Sequence, residues 1–390
     1  MNLLSRVKHW LARVLLRGRL LDWWVLRRGR QWDAAYRAEL TKTLHAAIKP
    51  VPLPAFATPD KLRQILLISN CQWEQNELVP ELARIADTRL LNLNPALKSA
   101  PDGPQGRAAV TEAVRQFAQT NPSLRPDVIL FYLHSDLLSD EVFDVLRGRW
   151  KCPLFGMNLD DRLQLFPYGI FSSGDDDYGR WLKKFDLNIT NCLPATEWYH
   201  QRGAASFYLP NGLRLSQGLA MPGSSDFKYK ISFLGSKKIE RAAVVEALGR
   251  AGIAVSLFGG GWPNSQWAED ANSIFRATQI NLGIGYASPS LALTTFKNRD
   301  FECPGAGGCY LTTYSWELSL VWEIGREILC YRSMEELIEM YAWYVRRPED
   351  CLKIGRAGWR RARAEHTWEQ RFRKLFEQTG FQCQPSQQRP

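Results

Sequence analysis

The chain has 390 residues, enough for two ordinary domains, and its 45% hydrophobic content can fill both cores. The net charge of +10 is concentrated at the amino terminus, where residues 1–30 hold eight basic side chains and one acid. The eight cysteines are scattered, with no CxxC pair and no histidine at ligand spacing. This pattern argues against a disulfide framework or a metal site and favours reduced thiols in the cytoplasm.

Residues 1–58 are predicted to form a basic amphipathic helical segment and a proline-rich linker. Leu3, Val7 and Leu11 form an apolar stripe at helical spacing, while Arg13 and Arg17 interrupt any signal-peptide core or spanning helix. Such a segment suits the anionic inner face of the cell membrane, and a helix packed on its own domain is the alternative. Nucleic acid is not an expected partner, because the basic cluster is not joined to a reading motif.

Residues 59–222 are predicted to form a first Rossmann-like domain, since strand and helix patterns alternate as in a parallel sheet covered on both faces. Residues 94–107 are expected to form a long polar loop. Ligands gather beyond the carboxyl ends of such strands, where His134 and the pair Asp160 and Asp161 are expected. These side chains can serve as a base toward an acceptor hydroxyl. The alternatives are a loop histidine bonded to backbone and a helix N-cap with a first-turn acid.

Residues 223–366 are predicted to form a second Rossmann-like domain after a linker at 221–225, and residues 367–390 a terminal helix and polar tail. A strand at 229–234, a glycine loop at 235–238 and a helix at 239–251 open the domain. Ser236 and Lys237, with the free N–H groups of the helix start, form a candidate anion site. No Walker or GxGxxG pattern is present, which argues against a P-loop kinase or a dinucleotide dehydrogenase.

The most informative stretch is 297–313, predicted as a short helix, a tight glycine turn and a buried strand. Lys297 and Arg299 can bind phosphate, and Glu302, one turn further on, can accept hydrogen bonds from a pair of sugar hydroxyls. A break is expected at Pro304–Gly305. The alternative is a surface helix on which Arg299 and Glu302 form an ion pair.

This stretch resembles the R-x-F-E-x-P-x-x-G-G-x-x-L-T signature of the group 1 glycosyltransferases in their CgeB-like (spore-maturation-protein) branch. The matching residues are Arg299, Phe301, Glu302, Pro304, Gly307, Gly308, Leu311 and Thr312, and the match continues at Glu317, Gly325–Ile328, Ala357-Gly358 and Glu365–Thr367. The resemblance implies an α/β protein of the GT-B fold. In that fold two Rossmann-like domains face a cleft, and the C-terminal one binds the nucleotide sugar.

The resemblance further implies a metal-independent, hexosyltransferase-type enzyme with no cofactor beyond its nucleoside diphosphate sugar donor. The acceptor would be a hydroxyl of a glycan, lipid-linked molecule or protein, in surface glycan or glycoconjugate synthesis. Glu302 would bind ribose, while Lys297, Arg299 and Lys237 would offset the charge of the leaving diphosphate. His134, Asp160 or Asp161 would be the acceptor base.

One departure from the family pattern leaves the function open. Typical retaining members of the wider group carry two glutamates eight positions apart. Glu302 matches the later one, and Thr294 stands at the position of the earlier one. The stereochemistry of transfer is therefore not implied. A nucleotide-sugar epimerase of similar fold and a non-catalytic sugar-binding or coat protein are the alternatives.

Overall fold

The computed structural model describes residues 61–70, 72–98, 103–133, 135–159, 161, 178–215, 219–263, 265, 270–286 and 294–383. Within these ranges the chain divides into two compact units, one of residues 61–210 with 368–383 and one of residues 211–367. The amphipathic segment predicted at 1–30, His134 and Asp160 lie outside the described residues.

The first unit is built on six parallel strands in the order β2-β1-β3-β4-β5-β6. The strands are β1 (Gln64–Ser69), β2 (Asp87–Asn92), β3 (Val128–Tyr132), β4 (Leu154–Asn158), β5 (Leu187–Thr190) and β6 (Ser206–Tyr208). Its helices are α1 (Gln72–Leu82), α2 (Asn94–Leu97), α3 (Gly103–Thr120), α4 (Asp140–Arg149) and α5 (Leu193–Gln201). Apolar runs such as β4, buried at every position, are covered on both faces, as expected for parallel strands.

The second unit contains five parallel strands in the order β11-β10-β9-β7-β8. The strands are β7 (Tyr229–Leu234), β8 (Ser256–Phe258), β9 (Thr278–Leu282), β10 (Tyr310–Thr313) and β11 (Leu329–Tyr331). Its helices are α6 (Ile239–Arg250), α7 (Ala271–Ala277), α8 (Arg299–Ala306), α9 (Met334–Tyr344) and α10 (Pro348–Glu365).

Both sheets reverse their winding direction at one strand pair. In the second unit the chain passes from β7 to β8 on one side and then to β9 on the other side of β7. The equivalent pair in the first unit is β1 and β3. Ligands of open α/β sheets bind beyond the carboxyl ends of the strands at such a switch point. The loop after β7 is therefore the first place to look for a site in the second unit.

The last helix, α11 (Trp368–Gln378), packs within the first unit. Its apolar stripe of Trp368, Phe372, Leu375 and Phe376 is fully buried in the cluster that includes Leu62. The i, i+4, i+7, i+8 spacing of these four residues explains why one helix face is covered.

Two local predictions were wrong. The polar loop expected at 94–107 contains α2 and the start of α3, whose buried Gly106 and Val110 begin the apolar stripe of that helix. The break expected at Pro304–Gly305 does not occur, because α8 continues to Ala306. Pro304 forfeits one helical hydrogen bond but is buried beside Gly358 of α10, so tertiary packing outweighs the local preference. The helix ends instead at Gly307, whose φ of 89° is left-handed.

The linker expected at 221–225 is held against the second unit by arginines. Arg356 donates from Nε to the carbonyl of Pro222 at 2.8 Å and from Nη2 to that of Gly223 at 3.1 Å. Arg363 donates from Nη2 to the carbonyl of Leu219 at 2.7 Å. These bonds tie the segment to α10, and the division between the units falls after residue 210, before the boundary expected at 222.

Candidate functional site

The loop after β7 is fixed by hydrogen bonds to the loop after β8. The N–H of Gly235 donates to the carbonyl of Phe258 at 2.8 Å, and that of Lys237 donates to Gly260 at 2.9 Å. The indole Nε1 of Trp262 donates to the carbonyl of Gly235 at 2.8 Å. The loops after β7 and β8 are thus hydrogen-bonded to each other, and we call them together the platform. The platform lies at the carboxyl edge of the sheet, beside the switch point.

Helix α6 begins on this platform without a side-chain cap. Lys238 occupies the N-cap position, and its side chain makes no capping hydrogen bond. Ser236 and Lys237 precede it and are exposed, and the Lys237 Nζ lies 6.0 Å from the ring centroid of Trp262. An uncapped helix start carries backbone N–H groups and a partial positive charge, which together favour an anion.

The side chain of Arg299, the first residue of α8, contacts the same loop after β7. Its Cζ lies 4.9 Å from the ring centroid of Phe233, the penultimate residue of β7. A Cβ on Gly235 would lie 2.6 Å from its Nη1, so glycine is what permits this approach. Its Nε and Nη2 are buried and have no hydrogen-bond partner in the part of the chain that the structure describes.

The alternative interpretation of Arg299 as an ion-pair partner of Glu302 is not observed. The ion pairs formed among the described residues do not include Arg299. Glu302 is half-buried in the first turn of α8, three residues after Arg299 and therefore on the same side of the helix. The Arg299 guanidinium and the Glu302 carboxylate thus lie on the same side of α8 and do not form an ion pair with each other.

A second guanidinium, which was not predicted from the sequence, also lies beside the loop after β7. Arg241 of α6 is only 8% exposed, and its Cζ lies 5.7 Å from the ring centroid of Phe233. Its Nη1 donates to the carbonyl of Ser236 at 2.8 Å and to its Oγ at 3.3 Å. Burial and the charge of Arg299 lower the pKa of Arg241 to about 10. One sequence signal could have identified Arg241. It lies seven residues before Leu248, which places a basic residue on the buried face of α6.

A buried carboxylate fixes the start of α8. Asp300 accepts hydrogen bonds from the Tyr310 hydroxyl and from the backbone N–H of Lys297, both at 2.7 Å. Burial raises the pKa of Asp300, and these two hydrogen bonds oppose the rise. Because Asp300 joins β10 to the residues before α8, it holds the backbone from which Lys297, Arg299 and Glu302 project.

Asp161, the one candidate base that the structure describes, is interior to the first unit. It is fully buried, and its Oδ1 accepts from Asn158 Nδ2 and from the Tyr199 hydroxyl, each at 2.5 Å. Burial and then the charge of Asp161 raise the pKa of both Tyr199 and Tyr178. No surface of Asp161 is presented to an acceptor. The geometry favours a structural role for Asp161 over the acceptor-base role that the sequence predicted.

The downstream residues of the signature include packing residues. His366 hydrogen-bonds through Nε2 to the carbonyl of Val321 at 2.8 Å and meets the Trp322 ring edge-on at 4.5 Å. A Cβ on Gly355 would collide with the carbonyl of Gly307, so α10 packs directly on the backbone that ends α8. These residues position α8 and do not themselves form part of the candidate anion site.

The described residues contain no cluster of three histidine, cysteine or acidic side chains arranged to hold a metal ion. Among the helices of the described ranges, none has the length and apolar character needed to span a membrane.

Comparison with known proteins agrees with this architecture. Residues 240–377 match a family model described as glycosyl transferase-like. Sucrose-phosphate synthase from Thermosynechococcus elongatus is 15% identical with a TM-score of 0.52, over 81% of this chain and 99% of that chain. Anabaena HepE in complex with UDP and glucose is 13% identical with a TM-score of 0.54, over 81% of this chain and 98% of that chain. No curated protein sequence matched the chain.

The two parallel α/β units and these structural neighbours establish the GT-B fold, with two Rossmann-like domains, and confirm the predicted fold class. The family match spans most of the second unit, including Arg241, Arg299 and Glu302, and extends into α11. It supports the glycosyltransferase class that the signature at 299–312 implied.

Proposed function

We propose that the protein is a glycosyltransferase that moves a sugar from a nucleoside diphosphate sugar to a hydroxyl acceptor. The observation that carries this proposal is the Arg299 guanidinium at the switch point, with Nε and Nη2 buried and without partners among the described residues. Burying charged donors without acceptors is unfavourable, and a bound diphosphate would supply those acceptors. HepE, of the same fold, is known in complex with UDP and glucose.

Each donor-site residue has a role in this scheme. The start of α6 with Ser236 and Lys237 contacts the phosphate oxygens, and Glu302 accepts hydrogen bonds from the ribose hydroxyls. Arg299 and Lys297 offset the negative charge that builds on the diphosphate as its bond to the sugar breaks. Because that charge is largest in the transition state, these cations accelerate the chemical step. In our proposal they do so without a metal ion.

The residues that we propose to activate the acceptor lie outside the described ranges. We assign the acceptor base to His134 or Asp160. The acceptor would be a hydroxyl on a glycan, a lipid-linked molecule or a protein, in surface glycan or glycoconjugate synthesis. We also propose that the chain belongs to the CgeB-like branch of the group 1 enzymes, on the strength of the signature at 299–312.

Incubation with a panel of nucleotide sugars tests the proposal. Release of free nucleoside diphosphate from one donor, rising when glycan or lipid-linked acceptors are added, is the expected result, and Arg299→Gln should suppress it. Interconversion of the donor sugar without release would instead indicate an epimerase. Donor binding with neither reaction would indicate a non-catalytic sugar-binding protein, which the threonine at position 294 favours.

We further propose that residues 1–30 hold the enzyme on the cytoplasmic face of a membrane. Each arginine or lysine near an anionic surface contributes about 1 kcal/mol, so the eight basic residues suffice for reversible binding. Flotation with anionic liposomes at low and high salt tests this, with a variant lacking residues 1–30 as control. Binding that needs the segment and weakens with salt is expected. Full-length protein that stays in the soluble fraction at low salt would contradict it.

A further inference from the structure

We infer that Asn211 is a positioning residue for the proposed transfer reaction, because its side chain fixes the start of α8, the helix that presents Arg299 and Glu302. This inference rests on the proposed function, since it concerns how the donor-binding side chains are held. Asn211 lies where the chain enters the second unit, 87 residues before Asn298. In our scheme it acts through Asn298 and does not itself contact the donor.

A hydrogen bond between two amide side chains joins Asn211 to the start of α8. The Nδ2 of Asn211 donates to the Oδ1 of Asn298 at 2.6 Å. Asn211 is buried and Asn298 is half-buried. Asn298 lies between Lys297 and Arg299 in the chain. Its backbone carbonyl accepts from the N–H of Glu302 at 2.9 Å. A shift of Asn298 would therefore displace the side chains that we assign to the donor.

The side chain of Asn298 does not cap α8 and bonds to Asn211 instead. Asparagine is among the best N-cap residues, because its Oδ1 can accept from an N–H of the first helical turn. Asn298 occupies the N-cap position of α8 but makes no side-chain capping hydrogen bond, and its φ of −55° and ψ of −36° are already helical. This side chain therefore attaches α8 to a distant segment of the chain and contributes nothing to the local cap.

The segment around Asn211 is itself fixed, so it can hold α8 in place. The N–H of Leu213 donates to the carbonyl of His366 at 3.0 Å, and Leu213 pairs with Thr367 in a parallel bridge. The Leu213 side chain packs against the last turn of α8, where a Cβ on Gly305 would collide with its Cδ1. The entry segment thus contacts α8 at its start and at its end.

Two side chains attach the start of α8 to different parts of the second unit. Asp300 accepts from the Tyr310 hydroxyl of β10, and Asn298 accepts from Asn211 of the entry segment. Without the Asn211 bond, the Asp300 bond would still hold the helix to the sheet, so α8 should stay folded while its first turn shifts. A displacement of about 1 Å near the reacting groups can slow a reaction about 100-fold, and a partial release should slow it roughly 10-fold.

Steady-state kinetics of nucleotide release test the inference. Asn211→Ala should lower kcat roughly 10-fold and change KM by less than about threefold, because the displaced cations act mainly in the transition state. Asn298→Ala removes the other partner and should give the same loss. The double variant should be no slower than either single variant, since both remove one bond. Ser225→Ala, which removes an exposed hydrogen bond to Glu349, is the control and should behave as wild type.

A purely structural role for Asn211 predicts a different result. It would lower the thermal stability and leave kcat and KM of the folded variant unchanged, which would overturn the inference. Additive losses, roughly 100-fold in the double variant, would also overturn it, because Asn211 would then act independently of Asn298. Should Asn211→Ala fail to fold, Asn298→Ala decides, because it removes the same bond from the half-buried side. A wild-type kcat in that variant would refute the positioning role.

Failure of the proposed function is distinguishable from failure of this inference. If the wild-type protein releases no nucleotide from any donor, the proposed function fails, and calorimetric titration with pyrophosphate becomes the readout. Asn211→Ala should then bind pyrophosphate roughly 3- to 10-fold more weakly than Ser225→Ala, since the cations of α8 are displaced. Equal affinities in the two variants, or no binding to the wild-type protein, would refute the positioning role.

Discussion

The carboxyl edges of the two sheets differ in how their buried charged groups are bonded. After β4 in the first unit, the Asp161 carboxylate is enclosed, and its Oδ1 accepts hydrogen bonds from Asn158 and Tyr199. After β7 in the second unit, Arg299 and Arg241 are buried in part while several of their nitrogens have no partner among the described residues. A carboxylate oxygen that accepts hydrogen bonds within its own unit has a structural role. A charge that the fold desolvates and leaves unpaired is available to a ligand, at a cost in stability.

The comparison predicts that substitutions at the second edge alter chemistry and binding, whereas substitutions at the first edge alter stability. The largest effect is expected for Arg299→Gln. This substitution should lower kcat by about 100- to 1000-fold, because the positive charge of Arg299 stabilises the departing diphosphate mainly in the transition state. Steady-state kinetics with the released nucleotide as readout measure this. Arg326→Gln, on a side chain 73% exposed, is the matched control. A change confined to KM would assign Arg299 to uniform binding instead.

Tyr199→Phe should lower the free energy of unfolding by about 1–3 kcal/mol, since it removes a donor from a fully buried carboxylate. Nucleotide affinity should not change. Tyr178→Phe is the matched control, because the Tyr178 hydroxyl is buried without a partner among the described residues and its removal should be neutral or stabilising. Chemical denaturation measures both. Equal losses in the two variants would show that the Asp161 network does not stabilise the first unit.

Glu302→Ala should weaken nucleotide binding by about 1–2 kcal/mol, roughly 5- to 30-fold in Kd, with the fold intact, because a half-buried ribose contact is lost. Titration calorimetry with the nucleoside diphosphate measures the change, and Glu339→Ala, on an exposed turn of α9, is the control. Equal affinities in wild type and Glu302→Ala would remove Glu302 from the site.

The smallest effect concerns Asp300, the internally paired carboxylate of the second unit. Burial raises its pKa in the folded state, so the folded protein holds this proton to a higher pH than the unfolded chain does. Its contribution to stability is therefore fully present below about pH 4 and is lost as the pH rises through the raised pKa. The stability of wild type minus that of Asp300→Asn should fall from pH 4 to pH 7 in denaturation experiments. A difference that grows over this range would contradict the assignment.

Strand positions and the position of the loop after β7 were predictable from local pattern. β7 was predicted at 229–234 and is observed at Tyr229–Leu234, because an apolar run followed by Gly235 leaves little choice of register. The start of α9 also follows from local sequence, because Ser333 and Glu336 have capping-box spacing and Ser333 Oγ accepts from the N–H of Glu336 at 3.1 Å. The expected helix, turn and strand at 297–313 are also present as α8, Gly307 and β10.

Other features depend on contacts between distant residues and were not predictable. Pro304 is tolerated inside α8 only because α10, more than forty residues later, packs against it. The role of Arg241 depends on the approach of Arg299, 58 residues away, to the same ring. Asp161 carries no local sign that Tyr199 will enclose it. Local sequence specifies elements, whereas the environment of a charge is set by tertiary packing.

Hydrogen–deuterium exchange with mass spectrometry can show whether the nucleotide binds at the switch point of the second unit. The protein is compared with and without a saturating nucleoside diphosphate. We expect slower exchange in peptides covering residues 235–241 and 297–302, where the backbone N–H groups of the α6 start and the first turn of α8 lie. We expect no change in peptides covering residues 193–201, which contain Tyr199. Protection of residues 193–201 with none at 235–241 and 297–302 would rule out nucleotide binding at the switch point.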